Sequence, residues 1–312
     1  MPQTSLIESL ELANLKVAVV GGTGGIGRAF SHLLASRGAN VAVVGQTFRD
    51  LNVPRIEFIK ADLSLLSDAK RISSLLCAET LDLLIFTAGI FAGPKREETV
   101  EGIERDLAVS YLSRFVILRE IATDLGRNLP AGRMKPRVIV VAYPGSGKIG
   151  IPDDFNSEKS YKPIQAHMNT VAGNEALVLD AVRRYPNATF IGLNPGLIKS
   201  NIRSNMMGAG SLKFRLMEWI IGLVSPSAKA YVARLTPLLI STDIALYSGD
   251  MLDKKGRSIQ PSSGMTEQHV NKLLTARRHW WHAPVYTFHP DPGYGLIVDG
   301  PTGNLGRAFA DR

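Results

Sequence analysis

The sequence predicts an α/β fold with a doubly wound parallel sheet, and three observations carry that prediction. Residues 16–21 (KVAVVG) form a continuous β-branched run of the kind found in strands covered on both faces. Gly21-Gly22-Thr23-Gly24-Gly25-Ile26-Gly27 closes that run and opens an amphipathic helix. Strand-length apolar runs then alternate with helix-length segments as far as Leu193, the order that right-handed βαβ units produce.

The elements follow in order. Ile26, Phe30, Leu33 and Leu34 have helical spacing and Gly38 stops them, which gives a helix over 26–36. Strands are expected at 40–45, 56–60 and 81–87, with a helix at 67–76 before the last of these. A helix over 100–125, a strand at 137–142, a helix at 163–184 and a strand at 188–193 complete the alternation. No repeat or linker interrupts it, so 1–312 reads as one domain, with 201–312 as a lid and C-terminal extension. Beyond Pro195 the periodicity loosens: 212–224 is amphipathic, 227–241 looks helical and 280–312 is a Pro/Gly-rich tail. This region is expected to cover the ligand cleft.

Composition narrows the class. With 45% hydrophobic and 21% charged residues, disorder and low complexity are excluded. Cys77 is the single cysteine, so an intramolecular disulfide and a zinc site of paired cysteines are excluded, and a reducing compartment is expected. The net charge of +8 is scattered, with Arg183-Arg184 and Arg277-Arg278 as isolated pairs and no basic stripe, so nucleic acid is not an expected partner. Apolar stretches such as 219–224 fall far short of the ~20 residues of a membrane span. Residues 1–14 include Glu8 and Glu11 and lack a signal pattern. A cytoplasmic protein is expected.

The glycine loop stands right after a buried strand and before a helix, where the backbone approaches a pyrophosphate and the helix N-terminus favours its charge. Its five glycines satisfy more than one dinucleotide spacing: Gly22, Gly24 and Gly27 in one, Gly21, Gly25 and Gly27 in the other. The second strand ends in Gly45-Gln46-Thr47, with Arg49 nearby and no acid before Asp50 to hold a ribose 2′-hydroxyl. NADP(H) is therefore the expected cofactor and NAD the alternative, with Arg49 either a phosphate partner or a solvent-facing loop residue.

Together with Asp62-Leu63, Thr87-Ala88-Gly89 and Pro195-Gly196, the loop resembles the short-chain dehydrogenase/reductase superfamily over residues 15–200, a Rossmann-type fold. The stretch from Gly147 to Tyr161 looks like the retinol dehydrogenase and WW-domain oxidoreductase branch, which carries a similar insertion. The resemblance implies that Gly21, Gly25, Ile26 and Gly27 hold the pyrophosphate and that Asp62 and Leu63 contact the adenine. It further implies that Ala88 and Gly89 end the fourth strand beside the cofactor and that Pro195 and Gly196 flank the nicotinamide. Gln46 stands at the ribose position. The family's catalytic positions fall on other residue types: His167 for its tyrosine, Val171 for its lysine, Ala142-Tyr143 for its serines and Ser110 for its asparagine.

Imidazole as a residue type titrates near 6.5 and suits acid or base work, and a phenol such as Tyr143 donates a hydrogen bond to an oxyanion. The plain alternatives are a histidine on the cleft wall and a packed tyrosine. Three functions follow. The first is non-redox acid/base chemistry such as isomerisation, dehydration or cyclisation on an apolar substrate, with the dinucleotide structural or absent. The second is NADPH-dependent reduction of a carbonyl or enone with an atypical proton donor, and the third a catalytically silent dinucleotide-binding protein. Residues 212–224, with Phe214, Trp219 and Ile220, read as a substrate lid, or otherwise as a core helix or a contact with a second copy.

Overall fold

The computed structural model describes residues 12–50, 52–91, 93–196 and 227–276. They form an eight-stranded sheet in the order β3-β2-β1-β4-β5-β6-β7-β8. The strands are β1 (Lys16–Val20), β2 (Asn40–Gly45), β3 (Ile56–Lys60), β4 (Leu83–Phe86), β5 (Arg137–Val141), β6 (Thr189–Leu193), β7 (Met251–Leu252) and β8 (Ser258–Ile259). All pair in parallel except β8, which returns antiparallel to β7.

The β-branched runs bury both faces because alternate residues point to opposite layers. Ala18, Val20, Leu84, Phe86, Val138 and Val140 enter one core, while Val17, Val19, Leu83, Ile85, Ile139 and Val141 enter the other. The first layer is covered by α2 (Leu66–Ser73), α4 (Ser113–Ile121), α5 (Pro163–Arg184) and α7 (Glu267–Thr275). The second is covered by α1 (Gly25–Ser36) and α6 (Ala228–Ile240), which pack on each other. Such helices on both faces make the fold a Rossmann-type α/β sheet. Among the described residues no helix is long and apolar enough to cross a membrane.

The expected helix over 100–125 is corrected. Gly102 takes φ +75° and Glu104 caps the helix by accepting from the Asp106 and Leu107 amides, so α3 (Arg105–Leu107) starts there. A π-helical turn, Ala108–Leu112, then separates α3 from α4. Thr266 caps α7, which periodicity did not reveal, by accepting from the His269 amide. The described part of the C-terminal region packs on α1 through α6 and on α5 through α7. The expected lid helix at 212–224 and the tail at 280–312 lie outside the described residues.

Candidate active site

The strand order reverses between β1 and β4, and a crevice opens at the carboxyl ends of the strands there. It is a cavity of about 430 Å³ lined by Gly21, Gly25, Ile26, Gly27, Gln46, Asp62, Leu63, Ala88 and Gly89. A second cavity of about 310 Å³ holds Pro195, Gly196, Tyr143 and His167. Ile26, Thr87, Gly89 and Val141 line both, so the two make one cleft.

The glycines divide by task. A Cβ on Gly21, whose φ is +91°, would stand 2.2 Å from the Ala88 nitrogen, and one on Gly27 would stand 2.3 Å from the Gly21 oxygen. These two let the loop lie against β4. A Cβ on Gly24 or Gly25 would meet nothing within 4 Å, so that side of the loop is open. Gly24 caps α1 without a side chain and the first turn carries no acid, leaving amides free for an anion. This cradle fits a dinucleotide pyrophosphate.

Burial pushes Asp62 up, but hydrogen bonds from the Ser64 hydroxyl and amide and from Gln46, with the charge of Arg105, outweigh it and hold the carboxyl below its usual range. Asp50 is engaged elsewhere: Arg28 reaches it through two nitrogens at 2.6 and 2.5 Å and His32 at 3.0 Å. The hydrogen bond from Arg28, then that from His32, hold Asp50 far below the ordinary carboxylate range. Arg49 is exposed and does not line the cleft, so the geometry leaves it as a loop residue.

Pro163 begins α5, where a missing N–H costs nothing, and the helix carries His167 into the cavity one turn later. His167 Nδ1 lies 2.8 Å from Asp106 Oδ2, and Ser110 Oγ donates to Asp106 Oδ1 at 2.5 Å. Asp106 is fully buried, and Ser110 Oγ in turn accepts from the Ile90 amide at 3.0 Å. Because a carboxylate only accepts, Nδ1 carries the proton toward Asp106 and Nε2 is the nitrogen left for another partner. Phe91 stacks on the imidazole with centroids 3.8 Å apart. Neighbouring Glu104 is pushed up to about 6 by burial and by Asp106, against the amide hydrogen bonds that it accepts.

Asp106, Ser110 and Arg114 follow one another on the helical side that faces α5. Arg114 Nη1 donates to Val141 O at 2.8 Å and to Asn174 Oδ1 at 3.0 Å, and Nη2 donates to Ala88 O. Asn174 Nδ2 donates to the Ser110 carbonyl at 2.8 Å within the π turn and to Thr170 O at 2.7 Å. Sequence reasoning missed Asp106 and Arg114. The signal that could have found them is their four-residue spacing from Ser110, which sets all three on one side of a helix.

Tyr143 is 44% exposed at the cavity wall. Its loop is pinned by buried Glu175, which accepts from the Gly145 amide at 3.0 Å and from the Ser262 hydroxyl at 2.9 Å. Tyr161 is outside the cavity lining, its hydroxyl donates to Gly93 O at 2.8 Å, and burial followed by Glu104 pushes it up to about 12. Among the described residues no lysine lines the second cavity, and α5 presents Val171 there.

A family model described as short chain dehydrogenase matches residues 16–142. An uncharacterized oxidoreductase of Saccharomyces cerevisiae is 48% identical over 272 residues, covering 86% of this chain and 88% of the yeast protein. A short-chain dehydrogenase/reductase from Serratia marcescens has the same fold, with a TM-score of 0.57 and 19% identity over 78% of this chain and 97% of that one. So does a Beutenbergia cavernae protein described as an NAD(P)-dependent gluconate 5-dehydrogenase and solved with NADP at low occupancy, with a TM-score of 0.57 and 20% identity over 79% and 97%. The sheet order, the glycine cradle and a relative alike along most of its length converge: the chain belongs to the short-chain dehydrogenase/reductase family.

Proposed function

We propose that this protein reduces a carbonyl group on an apolar small molecule, with NADP(H) as cofactor and His167 as the proton donor. The observation that carries the reading is the unbroken cleft, which joins the glycine cradle to a histidine held by a buried carboxylate. The name of the yeast relative, an oxidoreductase, supports it.

When bound, the reduced nicotinamide supplies the hydride to the carbonyl carbon. His167 gives its proton to the carbonyl oxygen, which becomes the alcohol, and Asp106 stabilises the imidazolium before transfer and fixes the ring. Tyr143 donates a hydrogen bond to the same oxygen. Ile26, Phe91, Val141, Met168 and Val171 give the walls an apolar character that suits an apolar substrate. Gln46, uncharged in the cleft where an acid would repel a 2′-phosphate, supports NADP(H) over NAD(H). The unpaired Cys77 supports a cytosolic setting.

The experiment is a panel of apolar aldehydes and ketones incubated with NADPH or NADH, following nicotinamide absorbance and alcohol formation together. Equal loss of NADPH and gain of alcohol is expected, with NADH slower. Product formed with no nicotinamide change would overturn the reductase in favour of acid/base chemistry by the same His167–Asp106 pair. Failure of both dinucleotides to bind would overturn the cleft assignment itself.

A further inference from the structure

Arg114 is 3% exposed, yet it lines the cavity that holds His167. Its hydrogen bonds go to neutral acceptors, the carbonyls of Val141 and Ala88 and the amide oxygen of Asn174. Among the described residues it forms no ion pair, and its buried Nε has no partner. Asp106 acts on it through space, but burial dominates and draws it down to about 9, which leaves it cationic at neutral pH. Val141 lines both halves of the cleft and Ala88 lines the dinucleotide half, so the charge is fixed where the halves meet.

A buried cation is disfavoured unless something electron-rich answers it. Here the nearby backbone offers only dipoles, Asp106 acts at a distance without forming an ion pair, and α5 adds apolar Val171 to the same wall. We infer that Arg114 is the cation for the nicotinamide half of the dinucleotide, its field answering the electron-rich oxygens of the second ribose from beneath the cavity. The inference rests on reading the cleft as a dinucleotide site. Arg114 is set for this by a clamp: Asn174 grips both its guanidinium and the Ser110 carbonyl, while the carbonyl ends of β4 and β5 fix its tip. The side chain therefore pays little further ordering entropy when a ligand arrives.

The test compares equilibrium binding of NADPH with that of adenosine 2′,5′-bisphosphate, which carries the adenine end alone. Arg114→Met is expected to weaken NADPH by about tenfold or more, the weight of one charged contact, and to leave adenosine 2′,5′-bisphosphate unchanged. Equal weakening of both ligands, or of neither, would overturn the inference. Val171→Lys in the otherwise native chain is the second arm. It is expected not to tighten NADPH, because a second cation would meet the field of the first. A clear gain in NADPH affinity there would show that the pocket lacked a cation and would also overturn the inference. If the native chain binds adenosine 2′,5′-bisphosphate and NADPH, the dinucleotide reading stands whatever the variants show; if it binds neither, that reading falls and takes this inference with it.

Discussion

Asp106 and His167, 61 positions apart in the chain, meet at 2.8 Å from Oδ2 to Nδ1, and the carboxylate also holds Ser110 Oγ at 2.5 Å. The ring is thus gripped at one nitrogen and stacked by Phe91, and its remaining nitrogen is left for the proton transfer proposed above. His167→Ala or His167→Phe should lower turnover by roughly 10²-fold or more, the worth of one positioned acid. Asp106→Asn should do similar damage, because an amide nitrogen facing Nδ1 favours the wrong tautomer. Steady-state kinetics beside a dinucleotide titration check this: turnover should fall while the dissociation constant stays put.

The same pair sets opposite pH limbs for the two directions. With His167 as proton donor, reduction draws on the protonated ring and should slow toward higher pH, whereas alcohol oxidation draws on the neutral ring and should slow toward lower pH. Both rates measured across pH 5 to 9 would show it, and His167→Ala should flatten both limbs.

The glycine loop separates folding from binding. Gly21→Ala places a methyl 2.2 Å from the Ala88 nitrogen on a backbone at φ +91°, so it should destabilise the fold by about 1–3 kcal/mol and distort the cleft. Gly24 has extended φ of −154° and open space around its would-be Cβ. Gly24→Ala should therefore keep the melting temperature and weaken dinucleotide binding. Thermal melts with and without NADPH distinguish the two.

Glu104 predicts a stability slope. Its carboxyl is raised from 4.5 to about 6, so the folded chain binds the proton more tightly than the unfolded one. Its contribution is fully present below pH 4.5 and is lost as pH rises through about 6, on the order of 2 kcal/mol in all. Glu104→Gln cannot ionise and keeps one acceptor oxygen where the native carboxyl takes the Asp106 and Leu107 amides on separate oxygens, a fixed loss that is the same at every pH. Urea midpoints at pH 4.5 and pH 7 should show the variant gaining on the native chain at the higher pH.

Strands β1, β2, β4, β5 and β6 were legible because their apolar runs are largely buried on both faces, β3 because Ile56, Phe58 and Ile59 mark a half-buried edge strand, and α1 and α5 because a glycine and a proline punctuate them. The start of α3 was not, since glutamate is an unusual cap and Val100 and Ile103 continue an apolar periodicity past the true boundary. β7 and β8, two residues each, are too short to carry a pattern. The cradle was readable as a contiguous motif. The partner of His167 was not, because Asp106 reaches it only through the packing of two helices that local periodicity does not align. Arg114 was hidden for a different reason: a lone arginine in a helix reads as surface charge until the fold buries it.

The π turn at Ala108–Leu112 makes helix winding itself part of the site. Such a turn is an α-helix with one residue added, and its wider winding absorbs that residue so that the helix beyond keeps its facing. Wound as a regular α-helix at about 100° per residue, the steps from Asp106 to Arg114 would carry the guanidinium about 80° past the side on which the acid stands, away from the strand ends that hold it. A single-residue deletion there cancels the wide turn and leaves the register between the acid and the cation standing, whereas a change that straightens the turn at the same chain length erases it.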